Sequence, residues 1–308
     1  MSIYDRKIPS KSQIEKELNK KNNWGRWGDK SERGAINLIN DKKRIEATKL
    51  VEYGKSISLS RPLPVSPSEE NPYPVHHYMS KIDRGAHSGG SVDYIGMHYH
   101  GQSNTHIDAL CHVWNENGMW NGKDPEEVID YSGAKYGGIQ VWSNGILTRG
   151  ILIDVPKFRK EPYVKEGFPV HGWELEDIVY SNDLTINPGD AILVYSGREE
   201  YNRNCQTKWG GNKNKRPGLH ASCLPFIRDN NISLLGWDMM DERPNEYDLP
   251  WTVHGAIFAY GIALLDNALL EPLSMICNDL NKYEFMLSIN PLNIIGGTGS
   301  PVNPVAFL

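Results

Sequence analysis

Apolar and polar residues alternate in short runs along most of this chain, and long helical periodicities are scarce. Ser56-Ile57-Ser58-Leu59-Ser60 alternates with period two before Pro62 and Pro64, which predicts a strand that those prolines close. Further strands are expected over 92–100, 105–109, 150–155 and 191–195, the last preceded by the turn former Asn187-Pro188-Gly189-Asp190. Two largely apolar runs, 232–236 and 262–265, read as buried strands. Helical segments are shorter. They are a polar one over 11–22, one capped by Asp41 that runs to Tyr53 and stops at Gly54, and others over 175–180, 222–229 and 255–260. Five prolines between 61 and 75 predict an irregular loop, which with 85–90 is a candidate to cover a pocket, and the polar residues 201–216 predict an exposed insertion. Strands outnumber helices and mix with them, and there is no repeat, low-complexity tract or linker. The pattern predicts one α/β domain over 1–308 with a mixed β-sheet, carrying an N-terminal helical extension over about 1–54.

Composition narrows the function classes. A net charge of −5 gives no electrostatic footprint for nucleic acid. No run of 18 apolar residues occurs, so no membrane span is expected, and the N-terminus lacks the apolar core of a signal peptide. Four scattered cysteines without a Cys-x-x-Cys argue against a disulfide framework and fit a cytoplasmic setting. Gly296 to Gly299 are followed by no Lys-Ser or Lys-Thr, so they are not a phosphate loop, and the absence of a Gly-x-Ser-x-Gly elbow disfavours a serine hydrolase.

Candidate chemistry concentrates in one stretch. His106 and Asp108 stand two apart, so in a strand both project from one face and bring a nitrogen and an oxygen ligand together, as a divalent metal requires. His112 follows four residues later, placed to return over the metal as an acid or base, and His98 and His100 precede at the same spacing of two. Cys111 is either a nucleophile or a small apolar residue packed beneath the site. These residues alone leave a metal centre and a set of structural histidines about equally open.

The same residues resemble a family of metal-dependent hydrolases known as the cyclase family, which includes bacterial kynurenine formamidase and isatin hydrolase. Its signature is His-x-Gly-Thr-His-x-Asp-x-Pro-x-His, and Thr105-His106, Asp108 and His112 match it. Arg216-Pro217-Gly218-Leu219-His220, Leu234-Leu235-Gly236, Asp238, Val253-His254, Leu264-Leu265-Asp266-Asn267 and the segment 297–304 look like the family's later blocks in the same order. The resemblance runs from Lys55 to the end of the sequence. It implies a mixed sheet closing toward a small barrel with outer helices, of the swivelling β/β/α kind, in a homodimer or homotetramer. It also implies zinc or manganese, with His106 and Asp108 as ligands and His112 as the catalytic histidine. His254 and Asp266 fall where dinuclear relatives place a histidine and a glutamate ligand.

Three departures stand out. Gln102 replaces the first histidine, Asn104 the glycine, and Leu110-Cys111 the proline, so a second metal is expected less than in the formamidases. Gln102 remains a weak candidate ligand, and His100 could stand in for the missing imidazole. His100, His220, Trp114 and Trp120 are the candidate substrate-binding residues. The activity implied is hydrolysis of a C–N bond in a small amide or cyclic amide. The alternatives are a lactone hydrolase, a natural-product cyclase, or a metal-free ligand-binding relative.

Overall fold

The computed structural model describes residues 6–212 and 214–308. Thirteen strands occur among them: β1 Ser56–Ser58, β2 His76–Asp83, β3 Gly89–Gly96, β4 His106–Asp108, β5 Ile129–Asp130, β6 Gly133–Ala134, β7 Ile146–Asp154, β8 Ala191–Tyr195, β9 Leu234–Trp237, β10 Ala263–Asp266, β11 Glu284–Ile289, β12 Gly299–Pro301 and β13 Val305–Phe307. Nine of them form one curled sheet in the order β1-β13-β11-β7-β8-β9-β10-β4-β12, with helices outside it. The expected mixed α/β fold is therefore present, although the sheet stops short of closure and keeps β1 and β12 as edges.

The centre of the sheet is parallel, β7 to β8 to β9 to β10, and both wings are antiparallel. Parallel strands covered on both faces need apolar side chains at every position. That is why β8 reads Ala-Ile-Leu-Val-Tyr without alternation and every one of its residues is buried. The switch to antiparallel pairing at β10 brings β4 in beside it, and β12 follows β4 on the far side.

Helix α1, Lys11–Lys20, packs against the helices Cys223–Asp229 and Ala256–Tyr260, where its buried Glu17 receives Lys21 and Arg228. Helix α2, Asp41–Thr48, lies on β7 and β11, and its buried Lys43 pairs with Asp190. Its cap is Asn40 rather than Asp41, because the Asn40 side chain accepts the Lys43 amide at 2.9 Å. The helix also stops before Tyr53, since Tyr53 and Lys55 donate instead to the carbonyl of Leu308.

The stretch 201–216 is not merely an exposed insertion. Its Trp209 is fully buried, donates to the Pro217 carbonyl at 2.8 Å, and lies under the guanidinium groups of Arg198 and Arg216 at 4.5 and 5.0 Å. Among the described residues, no helix is long and apolar enough to cross a membrane. The four cysteines are free thiols.

Candidate metal centre

The carboxyl side of β10 and the short strand β4 build the site. Register places Asp266 directly opposite His106, and Leu264 opposite Asp108. Across-strand neighbours on one face stand about 5 Å apart, so this register delivers a second carboxylate to the His106 and Asp108 face. His106 Nε2 lies 3.4 Å from Asp108 Oδ1 and 3.8 Å from Asp266 Oδ2, and all three residues are buried. Asp266 therefore reaches the cluster despite being one methylene shorter than glutamate.

Hydrogen bonds behind the cluster set its lone pairs. His106 Nδ1 is 2.9 Å from the Asn104 carbonyl, which can only accept, so Nδ1 carries the proton and Nε2 presents its lone pair inward. Asn267 fixes that carbonyl by donating both to it and to the Gly101 carbonyl, at 2.9 and 2.8 Å. The Trp237 indole donates to Asp266 Oδ1 at 2.5 Å, which leaves Oδ2 facing His106 and, at 3.3 Å, His254 Nε2. On its other side the His254 ring is held through Nδ1 by Asp241, whose second oxygen also accepts from Thr252 and from the Val253 amide at 2.6 Å.

His100 and His112 form the outer side. Their rings stack at 3.8 Å with an interplanar angle of 2°, and both are partly exposed. His100 Nδ1 is 3.0 Å from Asp108 Oδ1, and His112 Nε2 is 3.7 Å from Asp108 Oδ2. His100 Nε2 bonds to Thr298 Oγ1 at 2.9 Å. Gly299, paired with Asp108, makes room for this ring, because a Cβ there would lie 3.1 Å from His100 Cε1 and 2.5 Å from the Ile107 carbonyl oxygen.

Both oxygens of Asp108 and His100 Nδ1 are buried and lack a hydrogen-bond partner in usable alignment. Native interiors seldom leave such atoms unsatisfied. Two groups of three, His100 with Asp108 and His112, and His106 with Asp108 and Asp266, each bring their ligand atoms within 4.8 Å of one another. Nitrogen and oxygen ligands sit about 2.0–2.2 Å from zinc, so each group is compact enough for one ion with little movement. The unpartnered carboxylate and the imidazole-plus-carboxylate donor set thus fit zinc or manganese.

Electrostatics agree with the donor set. Burial alone would raise Asp108, but the imidazoles of His112, His100 and His106 outweigh it and hold the carboxyl below its usual range. Burial, reinforced by the imidazoles of His100, His254 and His106 and opposed by the carboxylate of Asp108, pushes His112 down to about 4, so it is neutral at pH 7. His254, although burial opposes its charge, is raised well above its ordinary value by Asp241 and Asp266. Burial pushes the Cys111 thiol up to about 12, so it packs beneath the site as an uncharged group and is no nucleophile.

A cavity of about 200 Å³ opens onto this cluster, lined by His100, His106, His112, His254 and Asp266 together with Arg216, Asp241, Glu242, Arg243 and Trp251. Gln102 also lines the cavity. In the orientation its neighbours satisfy, its amide donates to the Gly210 carbonyl at 2.7 Å and accepts from Arg216 at 2.5 Å.

Three of the four expected substrate-binding residues fall outside the cavity. Trp120 is fully buried, donates to the Ser31 carbonyl and packs on Trp27. Trp114 is surface-exposed. His220 belongs to a separate group, accepting from the Ser222 amide at 3.0 Å and contacting Tyr247 at 3.2 Å. His100 does line the cavity. Trp251, Asp241 and Glu242 escaped sequence reasoning because they sit in a polar loop without periodicity. Only Asp241, three residues after the motif residue Asp238, carried a hint.

Glu242 supports a pH prediction. Burial first, then Glu246 and Asp241, push its carboxyl up to about 8. A folded value above the unfolded one means that this group's contribution to stability is lost as pH rises between about 4.5 and about 8. With chelator present, Glu242→Gln is expected to melt like the parent at pH 5 and to be more stable at pH 9, by on the order of 1 kcal/mol after solvent screening. Thermal melts at the two pH values check this, and a pH-independent difference contradicts it.

The chain matches the family model Cyclase, described as "Putative cyclase", over residues 56–242. It is 30% identical over 89 residues to a kynurenine formamidase of Bacillus cereus, a segment covering 29% of this chain and 39% of that enzyme, so less than half of the formamidase is spanned. A crystal structure described as a novel cyclase superposes with a TM-score of 0.82 at 29% identity, over 93% of this chain and 99% of the other. Isatin hydrolase A from Labrenzia aggregata shares the fold with a TM-score of 0.56 at 18% identity, over 84% and 94% of the two chains.

Proposed function

The chain belongs to the cyclase family, and from that premise we propose that it is a metal-dependent hydrolase cleaving a C–N bond in a small amide or cyclic amide. The observation that carries this reading is the buried convergence of His106, Asp108 and Asp266, with both oxygens of Asp108 unpartnered. The names of the similar formamidase and isatin hydrolase point the same way.

In this reading His106 Nε2, Asp108 and Asp266 Oδ2 hold a divalent ion, Mn or Zn, with His254 steadying Asp266 from behind. Gln102, engaged with Gly210 and Arg216, is left out of the ligand set. The bound ion would supply Lewis acidity, bringing the ionisation of water toward neutral pH and polarising the scissile carbonyl. His112, neutral and at the cavity wall, takes the proton from the attacking water and passes it to the leaving nitrogen. His100, stacked on it, keeps the His112 ring facing Asp108.

Protein purified without chelator is expected to carry stoichiometric zinc or manganese and to turn over a member of a panel of formyl-anilines, cyclic imides and lactones, with the activity lost on chelation. Turnover confined to lactones would favour ester cleavage instead, and absence of any ion would favour a ligand-binding relative.

The proposal includes a cytoplasmic homodimer or homotetramer. Its support is the hairpin β2–β3, exposed almost throughout, which displays Tyr78, Met79, Ile82, Val92, Tyr94 and Ile95. A lone two-stranded hairpin is marginal in water, and apolar groups displayed on one mark an interaction surface. Replacing Tyr94 and Ile95 together by glutamate is expected to lower the mass measured by light scattering. An unchanged oligomer, or a parent that is already monomeric, contradicts the assignment.

A further inference from the structure

The cavity that holds the metal centre is also lined by two cationic side chains for which the proposed hydrolysis of a neutral amide has no use. Arg216 and Arg243 face each other across an isolated antiparallel bridge, their backbones bonded in both directions at 2.9 Å, and both line the cavity. Arg216 is 95% buried by its 5% exposure, its guanidinium stacks on Trp209, and its Nε is buried without a partner. One of its terminal nitrogens is occupied by the neutral Gln102 amide. Among the described residues no carboxylate stands within ion-pair distance of Arg216 or Arg243. Arg243 is exposed, and burial first, then the charge of Arg243, depress Arg216.

A buried guanidinium without a counter-charge is costly unless a ligand supplies one. Asp241 and Asp266 offset Arg216 only through space, and each has another task, Asp241 holding His254 and Asp266 facing the ion. Glu242, pushed up to about 8, is mostly protonated at neutral pH and offers little compensation. Once an ion is held, the cavity lining has a surplus of positive charge. The rigid fork of an arginine matches a carboxylate in plane and spacing. The cavity of about 200 Å³ exceeds the roughly 150 Å³ that accepts benzene, so it admits one ring with small substituents.

We infer that Arg216, with the exposed Arg243 beside it, binds a carboxylate on the substrate, so that this chain acts on a carboxylate-bearing amide small enough to carry a single ring. The inference rests on the hydrolase reading for the reaction, but the binding step can be tested without it.

The binding test uses the metal-loaded protein, with benzoate and its neutral counterpart benzamide as probes in equilibrium titrations. The parent is expected to prefer benzoate. In Arg216→Met that preference is expected to shrink about 10- to 100-fold, the usual effect of removing a charge-assisted hydrogen bond. Arg216→Lys keeps the charge and the stem, guards against a folding defect in Arg216→Met, and is expected to lose part of the preference because it lacks the fork. Benzoate can also touch the ion, so an unchanged preference in folded Arg216→Met and Arg216→Lys would assign its binding to the metal alone and overturn the inference.

A second arm compares 2-formamidobenzoate with formanilide. The parent is expected to favour the charged amide, mainly through KM, and Arg216→Met to lose that advantage. If neither amide is cleaved while the benzoate preference still collapses in the variants, the hydrolase reading falls and the carboxylate site stands.

Discussion

Asp108→Asn is expected to release the divalent ion and reduce turnover to background, a loss on the order of 10³-fold or more if water activation depends on that ion. The substitution keeps the shape and the backbone pairing of Asp108 with Leu264 and Gly299, but it replaces an anionic acceptor by a neutral amide in the middle of three imidazoles. Asp108 belongs to both three-residue groups that could grip a cation, so neither survives its loss. Elemental analysis of the variant, beside circular dichroism to show a retained fold, is the measurement. Stoichiometric ion in a folded Asp108→Asn protein would refute the proposed ligand set.

His112→Gln should separate chemistry from metal binding. Glutamine preserves a polar side chain of similar length but cannot exchange a proton near neutral pH. Loss of a general acid–base residue costs about 10²–10⁴-fold in kcat, and here it should leave KM and ion content near parental values. Because His112 Nε2 is only 3.7 Å from Asp108 Oδ2, a competing role as a ligand makes a different prediction. In that case the ion departs along with the activity, and elemental analysis of the same preparation decides between the two.

Much of this centre was legible in the sequence because its first part obeys a local rule. His106 and Asp108 share a face through the period of a strand, and that spacing is visible without knowing the fold. Asp266 was reachable only through resemblance, since its position opposite His106 is a matter of register between segments far apart in the chain. Trp114 and Trp120 show how proximity in sequence misleads, because the chain turns away after His112 and tucks Trp120 beneath Gly261 and beside Trp27. Arg216 lay within a recognised block, but nothing local told that its guanidinium would be buried without a counter-ion.

The fold divides in the same way. The parallel strands were evident from unbroken apolar runs, whereas β2 was missed because it lies on an exposed hairpin and has no buried face to impose alternation. β11 does alternate, burying Phe285, Leu287 and Ile289, so its signal was present and simply unread. The polar stretch 201–216 misled because composition outweighed one residue, Trp209, whose burial organises two arginines.

Strand β4 takes both its partners, β10 and β12, from much later in the chain. During synthesis on the ribosome, His106 and Asp108 therefore emerge long before anything can pair with them, and closing such distant contacts is slow. If the ion is held by His106, Asp108 and Asp266 as proposed, its capture would be a late maturation step, completed only after Asp266 has been translated. Cellular supply of zinc or manganese would then act on a finished polypeptide and set the fraction of active molecules, without guiding how the nascent chain folds.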